Sequence, residues 1–321
     1  MSALAAINGV RPFRMKAGIS RVEDLANGQE ALSPNIIGAR TVFYVDGNCG
    51  VDTNSGIGGW QNAFKTLTVA LAASNADIAV DSKGWAARNV IFARGDSFTE
   101  DLVLLAQKTD VIGVGSFDKH PMTCVIGNHV PTGATASYGT RFFNIMFKGD
   151  ATTGADIWTL DTYCSGLKFI GCHFWAKAGT VATAAIVGVS SDHLEIVDCE
   201  FTGGFTDATI ELSVDQEGLR IVGNYVESAG VGIELLSTTT DAATINEEYM
   251  LISGNTVYAA TECIKDSSGL ALVIDNRCVS KQASGLNGVG VIDAEENLAL
   301  NNFIAASDRT NMPWPAVQAV T

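Results

Sequence analysis

One feature constrains this chain more than any other: it repeats itself. Five segments fall into register, Leu167-Lys-Phe-Ile-Gly-Cys-His-Phe174, Leu194-Glu-Ile-Val-Asp-Cys-Glu-Phe201, Leu219-Arg-Ile-Val-Gly-Asn-Tyr-Val226, Met250-Leu-Ile-Ser-Gly-Asn-Thr-Val257 and Ala271-Leu-Val-Ile-Asp-Asn-Arg-Cys278. A degenerate sixth runs from Glu296 to Phe303. Their sixth positions are Cys172, Cys199, Asn224, Asn255, Asn276 and Asn301, spaced by 27, 25, 31, 21 and 25 residues. The first, third and eighth positions are apolar in nearly every copy. The second (Lys168, Glu195, Arg220, Leu251, Leu272, Asn297) mostly faces solvent, so each unit has the period of two that marks a strand. The Gly/Asp-Asn pair that follows is turn chemistry, because Asn tolerates a left-handed backbone and its amide bonds to nearby main chain. An Asn recurring once per unit can also bond its counterpart in the next unit, forming a ladder.

A second strand recurs between these units. Its inward residue is Ile186, Ile210, Ile233, Ile264 and Val291, followed by Val187, Glu211, Glu234, Lys265 and Ile292. Looser copies precede them, at Asn89–Ala93, Leu102–Leu105, Asp110–Gly113, Cys124–Ile126 and Arg141–Phe147. Two to three short strands per unit of about 26 residues, with no helix between them, fit a coil that stacks into parallel sheets. About eight coils, ~4.8 Å apart, would make a rod ~40 Å long.

Such a solenoid must cap its ends. Phe64, Leu67 and Leu71 predict one face of a short helix from Asn62 to about Ala73 covering the N-terminal end. At the other end, Asn311-Met-Pro-Trp-Pro315 is no repeat unit and would lay Trp314 on the last rung or on a neighbouring subunit. The chain thus divides into an N-terminal arm (1–40), an opening strand, loop and capping helix (41–87), the coil (88–305) and a C-terminal tail (306–321).

Charge explains what the coil would avoid. Only 17% of the 321 residues are charged, against ~25% in typical soluble domains, while 47% are hydrophobic. The apolar content excludes disorder, and no uninterrupted apolar run reaches the ~18 residues of a membrane-spanning helix. The N-terminus does not read as a secretory signal. The net charge is −15; the first 22 residues carry +4, from Arg11, Arg14, Lys16 and Arg21, so the other 299 carry −19. A body this acidic repels phosphate backbones and argues against nucleic acid as the main partner. The basic stretch reads either as an arm docking on an acidic surface or as a tail with incidental charge. Seven cysteines, with no Cys-x-x-Cys pair and no zinc-ligand spacing with the four histidines, read as reduced thiols.

The stretch Val42-Phe-Tyr-Val-Asp-Gly-Asn-Cys-Gly-Val-Asp-Thr-Asn-Ser-Gly56, then Ala63-Phe-Lys-Thr-Leu67 and Val90-Ile-Phe-Ala-Arg-Gly-Asp-Ser-Phe-Thr-Glu-Asp-Leu102, resembles the opening of right-handed parallel β-helix proteins of the pectate-lyase-like superfamily. The resemblance is to those encoded by tailed bacteriophages in particular, and with the Asn-containing coils it covers residues 41–305. It implies an all-β, right-handed parallel β-helix in an elongated, homotrimeric protein of the virion surface, assembled in the host cytoplasm. Its partners would be its own copies, capsid shell or tail proteins, and host surface polysaccharide under an alternative reading, with no membrane. The fold hosts lyases, hydrolases, tailspikes and inert virion proteins alike, so activity has to be sought in particular residues.

No lyase constellation of clustered Asp ligands with a basic residue is present at the outward seventh position, which reads His173, Glu200, Tyr225, Thr256, Arg277 and Asn302. Glycoside hydrolysis needs two carboxylates ~5 to ~9.5 Å apart. The best pair is Glu211 and Glu234, one coil apart, with Lys265 on the next; solvated surface charge is the weightier reading. Asp46, Asn48, Asp52 and Asn54 alternate as Ca²⁺ ligands would, without the closing Glu, and read as turns. Cys172 and Cys199, on adjacent coils, either bridge or stack as thiols. Trp158, Trp175 and Tyr258 are candidates for a sugar platform, although core edge or subunit interface is commoner for large aromatics. No cofactor, metal or catalytic triad signature appears. The expected function is therefore a non-enzymatic capsid decoration, vertex or fibre subunit anchored by its basic arm; the chain is short for a tailspike, which usually adds further domains. A polysaccharide-binding or depolymerising tailspike is the alternative.

Overall fold

The computed structural model describes residues 39–80, 88–95, 97–117, 120–121, 123–132, 138–150, 155–160, 164–176, 182–189, 191–213, 218–236, 250–268, 271–280, 292–294 and 299–306. The basic stretch with Arg11, Arg14, Lys16 and Arg21, and Trp314, lie outside them.

The repeat is a coil of three strands. In one turn, Lys168–Ile170 enters sheet I, His173–Ala176 enters sheet II and Ile186–Val189 enters sheet III. The next turn repeats this with Glu195–Val197, Glu200–Gly203 and Ala208–Ser213. Stacked in parallel, these strands build a ten-stranded sheet I, a nine-stranded sheet II and a six-stranded sheet III. The protein is an all-β parallel β-helix; among the described residues the antiparallel exception is the pair Ser116–Phe117 with His120–Pro121. Sheet I begins earlier than residue 88, since Ala39–Asp46 already pairs with Arg88–Arg94.

The turn from sheet I to sheet II is made by one left-handed residue per coil. It is the fifth position of the repeat: Asn144, Gly171, Asp198, Gly223, Gly254, Asp275 and Asn301 all have φ between 51° and 71°. Gly, Asn and Asp occupy it because other side chains meet a steric penalty there. The Asn at position six is therefore not the left-handed residue but the one that follows it, and it points inward. In the last coil this corrects the expected ladder member from Asn301 to Asn302, and the residue in register with Arg277 from Asn302 to Phe303. In the same coil the inward residue of sheet III is Ile292, paired with Ile264, and not Val291.

The Asn ladder carries a regular set of bonds. The Asn224 amide group donates to the Ile196 carbonyl and to Asn255 Oδ1, and the Asn224 backbone N–H also donates to Asn255 Oδ1. Asn255 does the same toward Ile221 and Asn276, and Asn276 toward Ile252 and Asn302. Each amide thus satisfies backbone groups that a curved, buried turn would leave without partners. Lower in the stack Cys199 and Cys172 take the position as free thiols, donating to the Phe169 and Phe142 carbonyls, which is the stacked alternative to a bridge.

Inward columns form one core. Phe142 and Phe169 stack at 5.7 Å, Phe147 and Phe174 at 5.4 Å, and Phe174 and Phe201 at 4.6 Å, all buried, with Trp158 among them. Toward the C-terminus the columns continue as Ile221, Ile252 and Val273, and as Val226, Val257 and Cys278. Burying each such side chain stabilises by roughly 1.5–3 kcal/mol.

The capping helix differs from expectation in its bounds. It runs Leu67–Val80, after a 3-10 turn at Trp60–Asn62. Leu67 and Leu71 face the core as expected, but Phe64 precedes the helix and bridges to Val45. The start is fixed by Glu100, whose carboxylate accepts from the N–H groups of Leu67 and Thr68, both at 2.8 Å. An acid there satisfies otherwise orphaned donors and the helix dipole.

Sheet III starts only at Trp158–Leu160. In the coil below it, an isolated bridge at His129 stands in its place. His129 is fully buried against Phe147 and Trp158, its Nδ1 accepts from the Leu102 N–H, and burial lowers its pKa to about 3.

Two predictions follow from this interior. In Asn255→Ala the buried Asn224 N–H and Ile221 carbonyl lose their partners, and we expect a loss of ~2–4 kcal/mol in urea unfolding. For His129, the folded pKa lies below the unfolded ~6.5, so the unfolded chain binds the extra proton as pH falls. Stability should decline from about pH 6.5 toward pH 3, by ~2 kcal/mol at pH 5 relative to neutral pH. His129→Gln should remove that share of the pH dependence, and an unchanged slope in the variant would refute it.

Candidate functional site

Sheet III presents the densest group of acids. Its outward column reads Val187, Glu211, Glu234 and Lys265, in consecutive register. The pairing places Glu211 and Glu234 side by side, as the spacing of the repeat implies. Two further acids join them. Asp207 sits where the chain enters this strand, held by its N–H donating to the Thr183 carbonyl at 3.1 Å. Asp156 sits near the start of an earlier sheet III strand and accepts from the Ala184 N–H at 3.0 Å.

Asp207, Glu211 and Glu234 each offer a carboxylate oxygen within 4.8 Å of the others. Their environments differ. Glu234 is buried to 7% exposure and accepts from the Lys265 ammonium at 2.5 Å. Glu211 is half-buried; desolvation raises its pKa first, then the charges of Asp207, Glu234 and Asp156, with Lys265 opposing. Asp156 is also raised, by burial above all and then by Asp207, against the lowering effect of the Ala184 N–H.

Chemically, a carboxyl whose proton is held to higher pH beside a second, cation-paired carboxylate is the pairing that general acid catalysis uses. A separation near 5 Å matches retaining rather than inverting glycoside hydrolysis. The same three oxygens are also the residues that could hold a divalent cation, although Ca²⁺ wants six to eight oxygens. Against both stands the Glu234–Lys265 pair, which already neutralises one acid.

The sequence reading missed Asp207, although its spacing of four from Glu211, just ahead of the strand Ala208–Ser213, would have placed it on the same side. Asp156 was not legible, because it lies in a turn outside the repeat.

The other candidates resolve differently. Trp158 is core, at 0% exposure, and supplies no sugar platform. Trp175 is exposed on sheet II with the Lys148 ammonium 5.1 Å from its ring, and Tyr258 lies against Tyr225 on the same sheet. The exposed aromatics and the acid group thus occupy different sheets. In the opening loop, Asp46 accepts from the Asn48 and Cys49 N–H groups and from Arg94, and Asp52 from Lys65 and Thr66, so these carboxylates serve turns. His173, at the outward seventh position, is buried and its Nε2 bonds Thr202 Oγ1 at 2.7 Å.

No protein-family model, curated protein or solved structure matches the chain.

The electrostatics of the acid group can be tested directly. Asp207→Asn should lower the Glu211 pKa toward the ordinary range, and Lys265→Ala should raise it further. A ¹³C titration of the Glu211 carboxyl reads both, and a titration unmoved in both variants would refute the coupling.

Proposed function

We propose that the protein is a non-enzymatic structural component of a tailed-bacteriophage particle surface, a capsid decoration, vertex or fibre subunit. In this reading it assembles as a trimer and is anchored by the basic stretch with Arg11, Arg14, Lys16 and Arg21. The virion assignment rests on the sequence resemblance. The non-enzymatic part rests on one observation: four outward cations are spent on the stack itself. Arg88 and Arg141 both bind Asp110, Lys168 binds Glu195 at 2.6 Å, and Lys265 binds Glu234, each pair linking neighbouring coils. Groups aimed at a substrate would instead converge on a shared cleft with exposed aromatics.

The second reading, a polysaccharide-depolymerising tailspike, is favoured by the raised pKa of Glu211 beside the Lys265-paired Glu234. The two diverge in one assay. Purified protein incubated with capsule or lipopolysaccharide should release no reducing sugar. Release that disappears in Glu211→Gln and Glu234→Gln would overturn the structural reading. A chain lacking residues 1–22 should stay folded and soluble yet fail to join particles, and normal incorporation would rule out the anchor.

A further inference from the structure

Sheet I carries an outward face that the mechanism of folding does not consume. One column of it reads Tyr44, Phe92, Ile112, Phe143, Ile170, Val197, Val222, Ser253, Ile274 and Leu300 in consecutive register. At the N-terminal end the chain covers this column itself: Trp60 packs on Tyr44 at 5.0 Å, and Phe92, Ile112 and Phe143 are buried in a satellite cluster. From Ile170 to Ile274 the column is only partly buried, and Leu251 and Leu272 widen it in the later coils. Partly exposed apolar side chains along several consecutive coils are the kind of patch that marks an interface.

Beside the column runs a row of charges, Asp110, Arg141, Lys168, Glu195 and Arg220 in consecutive register above Val90. Arg88, two residues before Val90, reaches Asp110 from beside the row. Together these are four cations and two anions, an excess of positive charge on a body of net −19. Arg220, at its upper end, is exposed and has no ion pair among the described residues. A two-fold axis along the rod would set each of these charges opposite its own copy. A closed ring of three instead packs one face of each copy against a different face of the next.

The complementary surface is on sheet III of the same chain, where Asp156, Asp207, Glu211 and Glu234 outnumber Lys265. It stands at the same height. Arg220 opens the coil whose sheet III strand carries Glu234, and Glu195 opens the coil that carries Glu211. In a ring whose axis parallels the rod, each copy keeps its level, so Arg220 of one copy meets the Asp207–Glu211–Glu234 group of the next. We propose that copies associate heterologously: the apolar, positively charged face of sheet I packs against the acidic face of sheet III in the neighbouring copy, and the ring closes. This deepens the proposal of a trimer and rests on it. It also gives the unpaired acids a role without chemistry, as the counter-charge of a neighbour.

The test is light scattering at micromolar concentration on the full chain and three variants, with circular dichroism and thermal melting confirming the fold. Wild type should be a trimer. Arg220→Glu and Glu211→Arg should each weaken assembly at least about tenfold, giving monomer where wild type is assembled. The combined R220E/E211R chain, with both faces reversed, should assemble again. A monomeric wild type overturns the trimer and this contact together. An assembled wild type whose single variants remain assembled, or whose double variant fails to recover, overturns the contact alone and leaves the trimer standing.

Discussion

One left-handed residue per coil, followed by one inward polar group, is the constraint on which the rest depends. The left-handed turn lets a strand of sheet I pass to sheet II in two residues, and so lets every coil take the same path. Identical paths put identical positions in register, and register is what allows columns to exist at all. The Asn side chains then close the sharp turn's backbone groups between coils, from Cys199 up to Asn302. If the turn residue moved by one position, every downstream side chain would exchange core for solvent.

The ladder also sets what the core can be. Where Asn ends and Cys begins, the inward column of sheet II changes from aliphatic to aromatic: Phe201, Phe174 and Phe147 stack below Val226 and Val257. A thiol is smaller and less demanding than an amide, since it donates weakly to one carbonyl and leaves room for rings. The lower coils are held more by stacked aromatics, the upper coils more by hydrogen bonds. Below Trp158, sheet III gives way to the bridge at the buried His129.

The sequence made the repeat, the strand period and the inward columns plain, because burial on a stacked sheet imposes them at every turn. It did not fix the last coil. Asn301 and Asn302 are chemically the same, so only pairing tells which one turns and which one bonds; Val291 and Ile292 are equally interchangeable as inward residues. The helix start was hidden for a different reason. Its capping group, Glu100, is 33 residues away from Leu67 and becomes a neighbour only once the first coil has closed over it. The acid group was half visible: Glu211 and Glu234 follow from the repeat and Asp207 could have followed from its spacing to Glu211, whereas Asp156 comes from a turn whose position no local pattern encodes.

The same geometry bears on why so few charges suffice. In a stacked coil each outward position recurs every ~4.8 Å along the axis, so a charge always has a neighbour directly above and below it. Opposite signs there bind within the chain, as Lys168 and Glu195 do; like signs accumulate strain, as Glu211 and Glu234 do until Lys265 relieves them. A column is therefore either internally neutral or a linear array of one sign. The sheet I row is nearly the first kind, closing Asp110 and Glu195 on neighbouring cations and leaving Arg220 over. The sheet III acids, with Asp207 and Glu211 beyond the Glu234–Lys265 pair, lean to the second, and such a charge is matched best by an opposite one at the same pitch. Another copy of the same coil supplies that pitch by construction.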